Sequence, residues 1–204
     1  MQRPARCLDV LNALVQRGVL RKFAALDIRI DDAGDVVLVF GGSLGARLLN
    51  ELALDAWAER GPAVVHLCGE RDYPDLRDRV SRPDYLLRPF IDEIGLAYGA
   101  ADVALARAGG SVWELAAAGL PAVLVPGAFA TGDHQEKNAR WFAEAGGAVV
   151  VPEAEAARAP QVVEELLADP GRRAAMEAAM RAVAKPDAAE RIADELVSLA
   201  AARR

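Results

Sequence analysis

This chain has almost nothing with which to bind a metal or staple itself. Its 204 residues include two cysteines, Cys7 and Cys68, and two histidines, His66 and His134. They are not spaced as a ligand set, so the sequence predicts no metal site and no disulfide framework, and a reducing, cytoplasmic compartment is the default. There is no run of about 18 apolar residues to span a bilayer as a helix. The opening residues lack the continuous apolar core of a signal peptide. Positive charge is in deficit: 24 Lys and Arg against 30 Asp and Glu give a net charge of -6. That balance leaves no footprint for a nucleic-acid partner. Repeats and low-complexity linkers are absent from the sequence.

What is there reads as a globular α/β core. The chain is 53% hydrophobic and 26% charged, and it is long enough for one large domain with an appendage. Continuous apolar runs at 36–40, 63–67, 84–87, 102–106, 121–125 and 148–151 predict six strands buried on both faces. Helical patterns separate them at about 45–59, 74–81, 92–99, 111–118 and 134–145. The stretch 158–202 reads as two or three further helices, broken at Asp169-Pro170 and at Lys185-Pro186-Asp187, with Asp187 a candidate cap. Strict alternation predicts a doubly wound parallel sheet with a helical C-terminal end. In such sheets ligands sit beyond the carboxyl ends of the strands.

Residues 1–34 read as a helical or irregular extension ahead of a nucleotide-binding domain at 35–204. Within 1–25, Arg3, Arg6, Arg17, Arg21 and Lys22 face only Asp9 in opposite charge. Leu8, Leu11, Leu14 and Val15 would share one helical face. The first expectation is a helix docked on the domain; the alternatives are a basic helix at a membrane surface and a transit peptide.

Three loops after predicted strands carry the candidate chemistry. The first, Gly41-Gly42-Ser43-Leu44-Gly45-Ala46, ends a strand on glycines and restarts as a helix. Helix N-termini offer orphan N–H groups and a favourable dipole to a phosphate, and glycine lets a ligand approach the backbone. It is neither a dinucleotide fingerprint, since Phe40 stands where the first glycine belongs, nor a P-loop, since no Gly-Lys-Ser/Thr follows. Ser43 would bind phosphate or cap the helix. The second loop, Arg107-Ala108-Gly109-Gly110-Ser111, opens a helix bearing Glu114. A carboxylate there either accepts from a ribose cis-diol or serves as a dipole-stabilising first-turn residue. The third runs from Pro126 to Asn138. His134, Gln135 and Asn138 fall at helical spacing and offer donors and acceptors suited to a polyol, with Asp133 a candidate N-cap.

Together these loops closely resemble glycosyltransferase family 28, and within it the C-terminal domain of the enzymes that move N-acetylglucosamine from UDP-GlcNAc to the undecaprenyl-pyrophosphoryl-MurNAc-pentapeptide of peptidoglycan synthesis. The matching pieces are Gly41 to Arg47 with Asn50; Phe90-Ile91-Asp92-Glu93 with Ala97-Tyr98 and Ala101-Asp102; Arg107-Ala108-Gly109 with Glu114 to Pro121; Val125-Pro126; Asp133-His134-Gln135 with Asn138-Ala139; and Pro186-Asp187-Ala188. The resemblance covers roughly 35–200.

It implies the Rossmann-like donor half of a GT-B glycosyltransferase. Backbone groups of Ile91 would read uracil, and Glu114 would hold the ribose. Ser43 and the amides around Gly42 and Gly110-Ser111 would take the diphosphate. Gln135, Asn138 and His134 would bind the GlcNAc hydroxyls. No cofactor and no metal are required. The 107–114 loop is one residue shorter than in many relatives. The resemblance gives no catalytic base here, because the expected one belongs to the family's N-terminal half, as does the membrane-docking patch. Turnover would then need a separate acceptor-binding half, and a self-dimer is the other candidate partner. Competing expectations are a non-catalytic nucleotide-sugar-binding module, a truncated gene product, and a donor domain for another UDP or dTDP sugar.

Overall fold

The computed structural model describes residues 34–42, 45–127 and 133–202. Ser43, the segment 128–132 and all readings on residues 1–33 lie outside the described residues.

Six parallel strands form one sheet: β1 (Val36–Phe40), β2 (Ala63–Leu67), β3 (Tyr85–Arg88), β4 (Val103–Ala106), β5 (Ala122–Leu124) and β6 (Ala148–Val150). Their spatial order is β3-β2-β1-β4-β5-β6. The register pairs Val39 with His66 on one side and with Leu105 on the other. The apolar runs predicted all six to within two residues at either end. Every residue of β1, β2 and β4 is buried, which is why these strands read as unbroken apolar stretches.

Helices α1 (Arg47–Trp57), α2 (Tyr73–Leu76) and α6 (Ala159–Leu167) cover one face. There Leu49, Leu54, Trp57, Leu76, Val163 and Leu166 pack on Val37, Val39 and Leu105. Helices α3 (Ile94–Ala100), α4 (Val112–Ala118), α5 (His134–Glu144) and α7 (Pro170–Val183) cover the other, through Tyr98, Leu115, Phe142 and Met180 on Leu38, Ala104 and Leu124. Helix α8 (Ala188–Ala202) completes the described chain. The connection from β3 through α3 to β4 changes faces, so the sheet has a topological switch between β1 and β4.

Two helix ends differ from expectation. The helix predicted over 74–81 is α2 followed by a 3₁₀ turn at Arg77–Arg79. Val80 is extended, and Pro83 bars a helical residue immediately before it. Arg82 uses the resulting turn to donate to the carbonyls of Trp57, Gly61 and Pro62. Asp133 occupies the N-cap of α5 in a left-handed conformation, φ 55, with no side-chain cap bond. Asp169 does cap α7, accepting from the Arg172 N–H at 2.9 Å. The Asp187 carbonyl accepts the first helical bond of α8 from Arg191.

Candidate functional site

All six strands are parallel, so the loops after β1, β3, β4 and β5 meet at one edge of the sheet, and those after β1 and β4 flank the switch point. The glycines there divide into two kinds. Gly41 and Gly45 are packing glycines: a Cβ on Gly41 would stand 2.2 Å from the Ala46 Cβ, and one on Gly45 would stand 2.1 Å from the Cys68 carbonyl oxygen. Gly42, Gly109 and Gly110 face open space, with nothing within 4 Å of an added Cβ. The first kind brings the loops together, and the second leaves room above them. No hydrogen bond from the amides of Gly109, Gly110 or Ser111 is formed among the described residues.

Glu114 lies in the first turn of α4 with its carboxylate exposed. The Tyr98 hydroxyl donates to its Oε2 at 2.7 Å. Tyr98 is itself buried, its ring 6.0 Å from that of Phe40 at the end of β1. One side chain therefore ties the end of β1, α3 and the start of α4 together. Glu114 Oε1 is left for another donor, as a ribose contact needs. At the other end of the same crossover, Ile91 packs its side chain on the core. Its backbone N–H and C=O make no hydrogen bond among the described residues.

Helix α5 is anchored by two of the three side chains expected to bind sugar. Gln135 Oε1 accepts from the Gly127 N–H at 2.8 Å, and Asn138 Nδ2 donates to the Ala108 carbonyl at 3.0 Å. A backbone N–H can only donate and a carbonyl can only accept, so both amides have a defined orientation. Gln135 presents its NH₂ as a donor, and Asn138 presents its Oδ1 as an acceptor. The bond to Ala108 also draws α5 onto the loop that carries Gly109 and Gly110 and leads into the helix of Glu114. Arg107, in that loop, is held by Glu153 at 2.5 Å and by the Val125 carbonyl at 3.1 Å. His134 is exposed at the first position of α5. Of the predicted site residues, Gly42, Ile91, Gly110, Ser111, Glu114, His134, Gln135 and Asn138 stand at this edge.

A buried polar cluster escaped the sequence reading. Beneath the β1–α1 loop, Asn50 Nδ2 donates to the Cys68 carbonyl and to Asp72 Oδ2, both at 2.9 Å. Its Oδ1 faces His66 Nε2 at 3.0 Å, and His66 Nδ1 faces the Tyr85 hydroxyl at 2.8 Å. Asn50, His66 and Asp72 are 0%, 0% and 4% exposed. Burial pushes the His66 pKa down to about 3 and the Cys68 thiol up to about 11. The Arg71 guanidinium beside Asp72 holds that carboxyl below its ordinary range. A polar residue inside the apolar run Ala63-Val64-Val65-His66-Leu67 was the available signal, since an interior strand tolerates a histidine only when both ring nitrogens are satisfied.

Two concavities, of about 620 and 770 Å³, lie at the opposite, amino edge around Gly61 and Pro62. Neither holds any of these groups. Among the described residues no group of His, Cys, Asp or Glu is arranged to hold a metal ion, and no helix is long and apolar enough to cross a membrane.

Residues 36–192 match the glycosyltransferase family 28 C-terminal domain. The UDP-N-acetylglucosamine--N-acetylmuramyl-(pentapeptide) pyrophosphoryl-undecaprenol N-acetylglucosamine transferase of Nitratidesulfovibrio vulgaris (strain DP4) is 42% identical over 172 residues, covering 80% of this chain and 47% of that protein. The transferase of the same name from Xanthomonas axonopodis pv. citri is 44% identical over 166 residues, covering 78% and 39%. Among solved structures, MurG of Acinetobacter baumannii superposes with a TM-score of 0.72 at 28% identity, covering 83% of this chain and 54% of that one. The calicheamicin glycosyltransferase does so with a TM-score of 0.61 at 26% identity, covering 84% and 43%. The chain spans about half the length of the curated relatives it matches.

Proposed function

Because the chain belongs to glycosyltransferase family 28, through that family's C-terminal domain, we propose that residues 35–204 are the UDP-GlcNAc-binding donor half of a hexosyltransferase acting in peptidoglycan lipid-intermediate synthesis, with 1–34 an extension ahead of it. The supporting observation is the carboxyl edge of the sheet at the β1/β4 switch, where Gly42, Gly109 and Gly110 leave open space beside anchored polar groups. Ile91 offers an unpaired backbone donor and acceptor to the uracil edge. Glu114 Oε1 accepts from the ribose. The amides of Gly42, Gly110 and Ser111, with Ser43, receive the diphosphate. The Gln135 donor and the Asn138 acceptor, with His134, meet the sugar hydroxyls.

In this scheme the reaction needs neither metal nor cofactor. A UDP leaving group gains negative charge at the transition state, and preorganised amides that grip it there lower the barrier. The acceptor pocket and the base belong to a second half, carried elsewhere in the same protein or by a separate chain. Contact with the inner face of the plasma membrane would come through that half. The name of the relatives supports GlcNAc as the sugar and a lipid pyrophosphate as the acceptor.

Titration calorimetry of the chain with UDP and UDP-GlcNAc tests the reading. The expected dissociation constants are micromolar to millimolar, about -4 to -8 kcal/mol, because half a cleft buries only part of the ligand. A folded sample that gives no heat with millimolar UDP ends the proposal.

A further inference from the structure

His66 and Tyr85 lie beneath the candidate diphosphate site without touching it. Asn50 Oδ1 can only accept, so the hydrogen on His66 must sit on Nε2 and point at Asn50. Nδ1 is then a bare acceptor, and the Tyr85 hydroxyl donates to it. The ring is neutral, as its depressed pKa requires. The resulting chain of bonds is directional: Tyr85 to His66, His66 to Asn50, and Asn50 to Cys68 and Asp72. With its oxygen held by His66, the Asn50 amide is locked with NH₂ toward the Cys68 carbonyl.

That carbonyl is also the surface on which the β1–α1 junction rests. Gly45 approaches it too closely for any Cβ. Asn50 itself donates its backbone N–H to the Ala46 carbonyl at 3.0 Å, the first bond of α1. One peptide oxygen at the end of β2 thus meets both sides of the turn that starts α1. Charged groups facing the cluster are Asp72, Arg71 and Arg47; Arg47 Nη1 is 3.8 Å from Asp72 Oδ1.

We propose that His66, backed by Tyr85, is a positioning residue: by fixing the Asn50 amide it holds Gly45–Asn50, and through the Gly45 N–H bond to the Gly42 carbonyl at 3.0 Å also Gly42, in the geometry that receives a nucleoside diphosphate. This rests on the donor-half reading above. It goes beyond that reading in assigning a role to groups that make no ligand contact. A residue of this kind acts on the affinity of the folded protein, whereas a purely structural core residue acts on stability alone.

The test measures UDP affinity by calorimetry and amide exchange at Gly45–Leu49 on the same variants. His66→Leu leaves Asn50 Oδ1 and the Tyr85 hydroxyl without partners. It is expected to weaken UDP at least fivefold and to speed exchange at Gly45–Leu49 at least tenfold, with Ile91 exchange unchanged. His66→Gln, whose amide donates to Asn50 and accepts from Tyr85, is expected to restore affinity to within twofold. Tyr85→Phe removes only the outer donor, and a threefold loss of affinity is expected. It decides the matter should His66→Leu fail to fold. Wild-type UDP affinity in folded His66→Leu or Tyr85→Phe, or lost affinity with wild-type exchange at Gly45–Leu49, overturns the proposal. If the unaltered chain shows no UDP binding, the donor-half reading is the part that fails. The exchange arm then decides by itself whether the cluster orders the α1 start, and unchanged exchange overturns that too.

Discussion

Glu114 carries two carboxylate oxygens, and Tyr98 occupies one of them. Glu114→Gln keeps an acceptor for Tyr98 and removes the ionised oxygen offered to a ribose. UDP affinity is expected to fall by about 1–3 kcal/mol, the scale of a charge-assisted hydrogen bond. Calorimetry reads the loss, and an unchanged melting temperature confirms that it belongs to the site. Gly110→Ala separates ligand from fold more sharply. An added Cβ at Gly110 meets no protein atom within 4 Å, so thermal stability should hold within about 0.5 kcal/mol. A diphosphate seated on that amide would be displaced, and UDP should bind at least tenfold more weakly, about 1.4 kcal/mol. Wild-type affinity in Gly110→Ala would move the diphosphate elsewhere. Gln135 and Asn138 were legible from the sequence only as polar groups at helical spacing. Each spends one hydrogen bond on the protein itself, at Gly127 and Ala108, and no spacing rule foretells which oxygen or nitrogen remains for a ligand.

At the scale of elements, the β1–α1 junction sets the position of Gly42 and of the start of α1. Gly45 has φ +74, and a Cβ there would meet the Cys68 carbonyl at 2.1 Å. Gly45→Ala therefore combines backbone strain with a clash against main chain that cannot rotate away. It is expected to cost about 2 kcal/mol or more, seen as a lower urea midpoint at unchanged slope. Gly42→Ala is the comparison: it shares the positive φ, 88, but meets no neighbour, so its stability cost should be the smaller of the two. The strands were legible because burial on both faces writes itself as continuous apolarity. The end of α2 was not, because it depends on Val80 turning extended and on Arg82 reaching three carbonyls up to 25 residues away in sequence.

At the scale of the whole molecule, His66 supplies a built-in sensitivity to mild acid. His66 is driven down to about 3 from an ordinary 6.5 by burial. The unfolded chain takes up this proton below about pH 6.5, while the folded chain refuses it until about pH 3. Stability is therefore full above pH 6.5 and falls as pH drops through that window. Between pH 7.5 and pH 5 this one group should cost about 2 kcal/mol. Chemical denaturation at the two pH values measures the loss, and His66→Gln should flatten it. The paired carboxyls Asp72 and Asp84 have lowered pKa values through Arg71 and Arg82. Their own contribution fades only below their unfolded values, near pH 4, so the interval above pH 5 isolates the histidine. A wild-type protein equally stable at pH 5 and 7.5 would mean that the ring is not buried neutral.

Local pattern alone was enough for the kind of sheet, the number of its strands and the loops that gather at one edge, because buried parallel strands and glycine-started helices are properties of short stretches of chain. Family membership was legible for a related reason: Gly41 to Arg47, Phe90 to Glu93, Glu114 to Pro121 and Asp133 to Asn138 recur in order along 36–192. The fold was required to tell packing glycines from open ones, to orient the Gln135 and Asn138 amides, to join Tyr98 to Glu114, and to assemble Asn50, His66, Asp72 and Tyr85 into one cluster. Apart from the Gly127–Gln135 bond, 8 positions apart, the hydrogen bonds among these join residues 16 to 30 positions apart, and a hydrogen bond is a matter of distance and angle in space, which order along the chain does not encode.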